Sequence, residues 1–527
     1  MEKEKQTTVE VDKEQLEKMI KAIEDLTVRI EEQDKKIQEK DAIIQKLQRM
    51  LFGKKSEKAR HAEMMANMPT LFDLEYPEES PSSARALQNI QYSRKKRCWN
   101  KDDLGDVERT KIVIEAAEEE KKCPWCGKEM EKIGEEKVRT RVIIEEPKIR
   151  IEEIYTETYV CPSCRQDGED VLFKTEAPLP VIPHSFASAE AIAHVANERF
   201  VKSVPYNRQE KEWKWLGLSI SRRTMSNWIM AVSELYLEPV VLKMREHLLK
   251  EELCHCDETP IQVLREEGRK NTSKSWMWVY SSAAVSRKPI RIFQYAPGRG
   301  SRYPKAFLEG FEGFLVTDGY GGYSQIENTK RALCWAHVRR KFFEALPSSG
   351  KNIQETEAYR ALERIGQIFH VETELQKLEP AKRAKERDRM ERPLAESLFA
   401  WAEEILEQGT ISSINVKGAF KYMLARKEEL SSYLDNGSLP MTNSLAERTI
   451  RNFAVGRNNW LFSGSPRGAK ACGVLYSIVE SAKANGLIPY KYILHLLKEL
   501  SRHAGKLTSE ILEECMPWNP NLISICQ

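Results

Sequence analysis

Residues 253–264 read Leu-Cys-His-Cys-Asp-Glu-Thr-Pro-Ile-Gln-Val-Leu and predict a strand that carries Asp257 just ahead of an apolar run. Further strands are predicted at 275–282, 289–295 and 314–318, and the apolar residues from Ala332 lead into a basic helix. Three neighbouring hairpin-like strands, followed by strands that alternate with helices, are the order of a mixed sheet. We therefore expect Asp257 and Asp318 to lie on neighbouring central strands.

Three acidic residues in different local settings form the candidate catalytic site. Asp257 lies in the strand quoted above, Asp318 follows the apolar residues Phe314 to Val316, and Glu447 opens a predicted helix. Carboxylates gathered in one pocket repel one another, and their pKa values rise unless a cation neutralises them. Two divalent metals about 4 Å apart can activate an attacking oxygen and stabilise a leaving 3′ oxygen in phosphodiester chemistry.

Each acid also has a plain structural interpretation. An aspartate at the end of a strand often hydrogen-bonds its own backbone in a turn, and Asp318 is followed by Gly-Tyr-Gly-Gly. Ser444-Leu-Ala-Glu447 is the pattern of a capping box, in which Glu447 would only satisfy a backbone N–H. Taken singly, these short patterns favour the structural interpretation.

The flanking sequence carries a family resemblance. Residues 443–451 (Asn-Ser-Leu-Ala-Glu-Arg-Thr-Ile-Arg), 456–465 (Gly-Arg-Asn-Asn-Trp-Leu-Phe-Ser-Gly-Ser) and 476–486 (Tyr-Ser-Ile-Val-Glu-Ser-Ala-Lys-Ala-Asn-Gly) closely resemble the transposases of the insertion sequence 66 family. Further matches lie in order along the chain, at 51–57, 257–260, 318–320 and 334–342. The resemblance therefore covers most of the sequence.

The resemblance implies a DDE enzyme with a ribonuclease H-like catalytic core. Its catalytic triad would be Asp257, Asp318 and Glu447, which would bind two Mg²⁺ ions per active site, with Mn²⁺ as a substitute. Just before Glu447 the family commonly has Asp-Asn-Asn, whereas this chain has Thr442-Asn-Ser444. The missing auxiliary carboxylate puts the strength of activity or metal binding in doubt, although the triad is intact.

Composition gives few constraints on function. The 527 residues include 83 basic and 80 acidic side chains, so a net charge of +3 does not by itself indicate a nucleic-acid binder. The chain opens on Met-Glu-Lys-Glu-Lys with no apolar signal segment, and no later apolar run approaches a membrane span. The expected location is the bacterial cytoplasm, in association with the nucleoid, without a membrane partner.

Apolar residues recur every seven positions near the N-terminus, at Leu16, Ile23, Ile30, Ile37, Ile44 and Leu51. This spacing predicts a coiled coil, with polar Gln33 and Lys40 interrupting the second core position. We expect a homodimer or higher homo-oligomer through this segment. An amphipathic helix packed on its own chain is the alternative.

A basic run, Arg94–Arg97, follows in an irregular linker and is either a solvated face or an arm that contacts phosphates.

Four of the eleven cysteines form two Cys-x-x-Cys pairs, Cys123 with Cys126 and Cys161 with Cys164. Residues 138–159 between them are rich in β-branched side chains, as in a hairpin that brings two thiolate pairs to one tetrahedral zinc. Four thiolates leave no open position, so this zinc would be structural. A redox pair is the competing interpretation, and the scattered remaining cysteines fit a reducing compartment.

Two regions carry candidate DNA-binding residues. Residues 216–228 predict a glycine turn followed by a short basic helix, the pattern of a helix-turn-helix with Arg222, Arg223 and Asn227 available to DNA, although ordinary helical hairpins share it. Around the third acid, cations suited to the DNA backbone are Arg339, Arg340, Arg448, Arg451, Arg457, Arg467 and Lys470. Trp460 and Phe462 are expected in the core, and His337 is expected to be structural.

Together these expectations give a multidomain α+β fold. Its predicted parts are a coiled coil at 1–52, a linker with basic segments at 53–110, a zinc ribbon-like domain at 111–180, a helical helix-turn-helix-like DNA-binding domain at 181–250, a ribonuclease H-like α/β core at 251–345 and 436–500, an all-helical insertion at 346–435 that splits this core, and a C-terminal tail at 501–527.

The function implied is a DNA transposase that cuts and rejoins strands at the ends of its own mobile element. Its partners would be double-stranded DNA, as terminal inverted repeats and as target, and accessory proteins encoded by the same element. Thr442 and Ser444 support an alternative, a catalytically impaired DNA-binding or assembly protein derived from a transposase. A structure-specific nuclease without strand transfer is a third interpretation.

Overall fold

The structure is a computed structural model that describes residue 128 and residues 148–160, 172–347 and 353–527. The predicted coiled coil, the linker with its basic run and the four cysteines of the predicted zinc site lie outside the described residues. The chain divides into two compact units. Among the described residues, the larger unit holds 176–211 and 220–527, and the smaller holds 128, 148–160, 172–175 and 212–219.

The smaller unit contains a short antiparallel pair of strands, β1 (Thr158–Val160) and β2 (Leu172–Lys174), with Tyr159 opposite Phe173. The predicted hairpin at 138–159 lies partly outside the described residues. Of the part that is described, residues 148–157 form no strand, and β1 pairs with a segment beyond Cys164. Aromatic and β-branched side chains favour such pairing across strands. The second cysteine pair therefore lies, in sequence, in the connection between β1 and β2.

Helices occupy the segment that was predicted to be helical before the sheet. They are α1 (Ala189–Phe200), α2 (Tyr206–Trp215), α3 (Arg222–Val232) and α4 (Glu238–Leu248), with a π-helical turn at Ser233–Leu237. Gly217 has φ +91°, a conformation that glycine adopts readily, and it lies in the turn between α2 and α3. Ser221 then caps α3 by accepting a hydrogen bond from the Thr224 N–H.

The larger unit is built on a mixed sheet. Its strands are β3 (Leu253–Val263), β4 (Lys274–Ser282), β5 (Arg291–Ala296), β6 (Phe314–Thr317), β7 (Lys330–Leu333) and the short β8 (Phe462–Ser463). The order across the sheet is β5-β4-β3-β6-β7, with β3, β4 and β5 antiparallel and β3, β6 and β7 parallel. β8 runs parallel to the far end of β3. The mixed sheet predicted from the sequence is confirmed.

Helices surround the sheet and continue beyond it. They are α5 (Arg302–Phe307), α6 (Trp335–Ala345), α7 (Glu357–Leu375), α8 (Pro380–Met390), α9 (Arg392–Gln408), α10 (Ile414–Leu424), α11 (Lys427–Asp435), α12 (Ser444–Trp460), α13 (Pro466–Ala484), α14 (Pro489–Arg502), α15 (Ser509–Glu514) and α16 (Pro520–Cys526). Short 3₁₀ turns lie at Gly321–Gln325 and Ile353–Glu355. No helix among the described residues is both long enough and apolar enough to span a membrane.

Helices α7 to α11 lie between β7 and α12 in sequence, and α7, α9, α10 and α11 pack on the end of the sheet through one apolar core. Trp335 and Phe342 of α6 share this core with Phe369, Phe399 and Phe420. A buried ion pair between Arg387 and Glu372 (2.5 Å) ties α8 to α7 inside the same helical group. The helical group is therefore joined to the sheet through α6, the helix that follows β7.

Helix α13 covers the other part of the sheet. Its Ser477 and Ser481 hydroxyls accept hydrogen bonds from the backbone N–H groups of Phe293 and Arg291 on β5. A side chain at Gly473 would place its first carbon only 2.7 Å from the Phe293 carbonyl, so glycine permits this close approach. Helix α13 therefore packs directly on β5, at the antiparallel edge of the sheet.

Candidate active site

The first two acids lie side by side at one place in the sheet. β3 and β6 are parallel, with His255 opposite Val316. Two residues further along each strand direction are Asp257, inside β3, and Asp318, the first residue after β6. The parallel register therefore places near each other two aspartates that are distant in sequence, one on β3 and one directly after β6.

Asp257 sits in an environment that opposes its charge. Burial raises the pKa of Asp257 well above its usual range, and the negative charges of Glu258, Asp318 and Glu447 raise it further. Its Oδ1 accepts a hydrogen bond from the Glu258 N–H (2.8 Å), which acts in the opposite direction. The charges of Asp318 and Glu447 thus act on Asp257 and define an electrostatic cluster of three acids. Among the described residues, the three carboxylates do not all lie within 4.8 Å of one another.

Asp318 combines a turn role with its place in this cluster. Its Oδ1 accepts a hydrogen bond from the Tyr320 N–H (2.9 Å), which is the turn contact expected of an aspartate before glycine. Arg331 donates to the Asp318 carbonyl oxygen (3.1 Å) and to Thr317 Oγ1 (3.2 Å). The loop that carries Asp318 is thus fixed both by this turn contact and through its backbone.

Glu447 lies in the first turn of α12 but does not form the capping box. The helix begins at Ser444, with Asn443 as its N-cap and no side-chain cap bond, so the capping interpretation of Glu447 is wrong. Its Oε1 is buried without a hydrogen-bond partner among the described residues and lies 3.9 Å from His337 Nε2. Glu447 therefore faces the cluster rather than its own backbone.

His337, expected to be structural, lies beside the third acid. Burial lowers the pKa of His337, the Glu447 charge raises it, and the positive charges of Arg340 and Lys341 lower it. The sequence signal that could have located it is the Cys-x-x-His spacing after β7, which starts α6 at the edge of the cluster.

Asn443 anchors the start of α12 to β3. Its side-chain oxygen lies 2.8 Å from His255 Nδ1, its Nδ2 donates to the Cys256 carbonyl (2.9 Å), and its backbone N–H donates to Cys334 Sγ (3.1 Å). Asn443 is fully buried. These bonds hold the helix of Glu447 against the strand of Asp257.

Glu258 is a fourth acid that the sequence argument did not assign. Its side chain is 1% exposed and is bound by Arg299 at Oε1 (2.5 Å) and by the Tyr323 hydroxyl at Oε2 (2.5 Å). Burial raises the pKa of Glu258, while the Tyr323 hydrogen bond lowers it and the Asp318 charge raises it. Alternation along β3 directs the side chains of Asp257 and Glu258 to opposite faces, although the Glu258 charge still raises the pKa of Asp257.

The predicted DNA-binding cations around Glu447 have different environments. Arg340 and Arg451 are exposed and Arg448 is partly exposed. Arg339 is only 1% exposed, so the prediction that it contacts DNA needs correction, because a buried guanidinium cannot reach a phosphate. It occupies the inner face of α6, which sequence spacing alone did not distinguish from the outer face.

The remaining cations near α12 already have protein partners. Arg457 donates to Thr259 Oγ1 (2.8 Å), Arg467 pairs with Glu234 (2.6 Å), and Lys470 pairs with Glu238 (2.6 Å). Trp460 is buried as expected.

Phe462 was also expected in the core, but it is 44% exposed because β8 presents it at the sheet margin.

The predicted recognition helix is α3. Arg222, Arg223 and Asn227 are all exposed on it. The backbone N–H of Arg222 donates to Glu210 Oε1 (3.1 Å), which fixes the start of the helix.

Comparison with known proteins supports one family along the chain. A family model described as transposase IS66 family matches residues 184–471, which include all three acids of the cluster. A model for the IS66 C-terminal element matches residues 477–518. A model for the zinc-finger binding domain of transposase IS66 matches residues 120–165, the interval that contains the four paired cysteines.

Similar full-length relatives occur in Sinorhizobium fredii (strain NBRC 101917 / NGR234). The uncharacterized protein y4hP is 27% identical, with 90% of this chain and 87% of that protein aligned. The uncharacterized protein y4qI is also 27% identical, over 90% of this chain and 88% of its own length. Both alignments cover nearly the whole of each chain.

Proposed function

Because this chain belongs to the IS66 transposase family, we propose that it is a DDE transposase that cleaves and transfers DNA strands at the ends of an insertion sequence. The observation that carries the proposal is the parallel register of β3 and β6, which sets Asp257 beside Asp318. Glu447 completes the triad from α12, since its charge acts on Asp257.

We also propose that the mixed sheet is a ribonuclease H-like core. Its support is the sheet order, with three antiparallel strands followed by two parallel ones, and the position of Asp257 on β3 and of Asp318 directly after β6. On this proposal the core comprises 251–345 and 436–500, and the helical group within 346–435 is an insertion. The regions at 111–180 and 181–250 would be the zinc-binding and DNA-binding domains, and residues 501–527 the C-terminal tail.

The chemistry of the three acids suits a pair of Mg²⁺ ions, and we propose the acids as ligands of these ions. Mg²⁺ prefers oxygen ligands, and Asp257, Asp318 and Glu447 supply carboxylate oxygens. The raised pKa of Asp257 and the partnerless Glu447 Oε1 are the features of a carboxylate cluster that a cation would stabilise. When bound, the metal pair supplies activation of the attacking oxygen and charge stabilisation of the leaving 3′ oxygen.

The chain's own residues would position the DNA and the acids. Exposed Arg340 and Arg451, with partly exposed Arg448, surround Glu447 with positive charge that suits a phosphate backbone. Asn443 fixes the start of α12 on β3, so the distance between Glu447 and Asp257 is set before metal or DNA binds. Arg222, Arg223 and Asn227 on α3 are proposed to contact the element ends.

The zinc-finger match supports a structural zinc, and we propose Cys123, Cys126, Cys161 and Cys164 as its ligands. The coiled coil at 1–52 is proposed to pair two or more subunits across the DNA ends. Accessory proteins of the same element are proposed as further partners, and the bacterial nucleoid as the location.

The test is Mg²⁺-dependent nicking of DNA that contains the sequences flanking the gene. Asp257→Asn, Asp318→Asn and Glu447→Gln should each reduce nicking by at least about a hundredfold, because each removes a charged ligand. Glu312→Gln is a matched control, since Glu312 is exposed and lies before β6, at the end opposite Asp318.

Three outcomes would change the proposal. Nicking that survives Asp257→Asn and Asp318→Asn would remove the triad. DNA binding by the wild type without any nicking would favour the impaired binding or assembly protein. Cleavage without joining of the 3′ end to target DNA would favour a nuclease.

A further inference from the structure

Three side chains of different chemistry meet at the start of α6. One ligand atom from each of Cys334, His337 and Glu447 lies within 4.8 Å of the other two. Cys334 and His337 are three residues apart at the helix start, so they lie on the same side of α6. The result is a mixed set of one sulfur, one nitrogen and one oxygen, unlike the all-oxygen set of the two aspartates.

Two polar atoms of this group lack hydrogen bonds. Glu447 Oε1 and His337 Nδ1 are buried, and neither has a hydrogen-bond partner among the described residues. Buried polar atoms without partners are uncommon in folded proteins and call for an explanation. A cation between Glu447 Oε1 and His337 Nε2, which lie 3.9 Å apart, would satisfy the carboxylate oxygen.

The surroundings of Cys334 suit a metal-bound thiolate. Cys334 is the N-cap residue of α6, where the helix dipole favours negative charge. Its Sγ accepts a hydrogen bond from the Asn443 N–H (3.1 Å), a contact of the kind that orients and stabilises metal ligands. Coordination as the thiolate would release the thiol proton to solvent.

We propose that Cys334, His337 and Glu447 form a binding site for a thiophilic divalent cation of the Zn²⁺ class. Thiolate and imidazole ligands favour Zn²⁺ and Cd²⁺ over Mg²⁺. Tetrahedral zinc bonds place ligand atoms roughly 3.3–3.6 Å apart. The 3.9 Å between His337 Nε2 and Glu447 Oε1 is near that spacing, so a small side-chain rotation closes the site.

The site shares Glu447 with the proposed catalytic triad, and its consequence for activity rests on that proposed function. A thiophilic ion bound here withdraws Glu447 from the Mg²⁺ pair, so it inhibits strand cleavage. Three protein ligands leave one coordination position open, in contrast to the four-cysteine site. Zinc would therefore have two roles in this chain, one structural and one inhibitory.

The binding test counts metal in the full-length protein. After saturation with Zn²⁺ and gel filtration, the wild type should retain one zinc ion per chain more than Cys334→Ser or His337→Asn. Cys472→Ser, which removes another buried cysteine, should match the wild type. With Cd²⁺ as the probe, the thiolate-to-metal absorption of the wild type should exceed that of Cys334→Ser. Equal zinc counts and equal absorption in folded wild type and variants would overturn the site.

The activity test measures inhibition of Mg²⁺-dependent nicking by added Zn²⁺. Each protein is compared with its own rate in Mg²⁺ alone, and Cys334→Ser should require at least tenfold more Zn²⁺ for half inhibition than Cys472→Ser. Equal inhibition would overturn the inhibitory role. If no protein nicks DNA, the proposed function fails, and the zinc count still decides whether the site exists.

Discussion

Asn443 holds His255 in a defined protonation state across the join between α12 and β3. Asn443 Nδ2 donates to the Cys256 carbonyl, so its Oδ1 must be the atom 2.8 Å from His255 Nδ1. His255 Nδ1 therefore carries the proton and donates it to this bond. Burial lowers the pKa of His255 to about 4, so the ring is neutral at physiological pH.

The first prediction concerns this anchor. Asn443→Ala removes both side-chain bonds and leaves buried His255 Nδ1 and the Cys256 carbonyl without partners, which should lower the free energy of unfolding by about 1–3 kcal/mol. Because α12 is no longer fixed on β3, nicking should fall further than DNA binding. Denaturant unfolding and the nicking assay measure the two effects.

Asn458→Ala serves as the control for this substitution, since Asn458 is exposed on the same helix. It should leave both measurements near wild type. An Asn443→Ala protein with normal stability and normal nicking would show that the anchor has no part in placing Glu447.

The second prediction follows from the raised pKa of Asp257. An acid whose pKa is raised on folding contributes most stability when protonated, and this contribution is lost as pH rises through its folded pKa. In metal-free protein, Asp257→Asn should therefore raise the Tm at neutral pH, and its advantage over wild type should shrink toward pH 4, near the usual value of 3.8.

Magnesium should reduce or reverse the Tm advantage of Asp257→Asn over the wild type. Added Mg²⁺ should raise the Tm of the wild type by a few degrees and that of Asp257→Asn by much less, since the variant lacks one ligand charge. Glu312→Gln should follow the wild type in both conditions. An advantage of Asp257→Asn that does not depend on pH would mean that charge at residue 257 is not the cause.

The strands that carry or precede Asp257 and Asp318 could be predicted because each strand is marked locally by its own apolar run. The apolar runs around Asp257 and Asp318 gave two strands, and the change from hairpins to alternating helices gave their parallel pairing. Contacts between side chains far apart in sequence gave no such signal. The bond between Asn443 and His255 and the burial of Arg339 depend on how α12 and the helical group pack, which periodicity does not specify.

The third prediction concerns the hydrogen bond that Tyr323 donates to buried Glu258. Tyr323→Phe removes the hydroxyl that donates to Glu258 Oε2 and leaves a buried carboxylate oxygen unsatisfied. The free energy of unfolding should fall by about 1–3 kcal/mol. Combining it with Glu258→Gln should cost less than the sum of the two single changes, because they act on one contact.

Tyr490→Phe is the control for Tyr323→Phe, because it removes the same hydroxyl from another tyrosine. Tyr490 is partly exposed, and its hydroxyl makes no hydrogen bond within the part of the chain that the structure describes. It should unfold at the wild-type denaturant concentration. Additive effects of Tyr323→Phe and Glu258→Gln would contradict a direct coupling between the two side chains.

The fourth prediction concerns the contact between Asp318 and the helical group. A side chain at Gly319 would collide with the Tyr422 hydroxyl and lie 3.0 Å from Arg426 Nε, whereas one at Gly321 would meet no atom within 4 Å. Gly319→Ala should therefore move either Tyr422 or the Asp318 loop, and it should reduce nicking by about tenfold or more, the scale on which a misplaced catalytic group acts. Gly321→Ala, in the same turn, should retain the wild-type rate. Adding Tyr422→Ala to Gly319→Ala removes the collision and should restore most of the nicking rate. If Gly319→Ala and Gly321→Ala behave alike, the packing of Tyr422 on this loop does not set the position of Asp318.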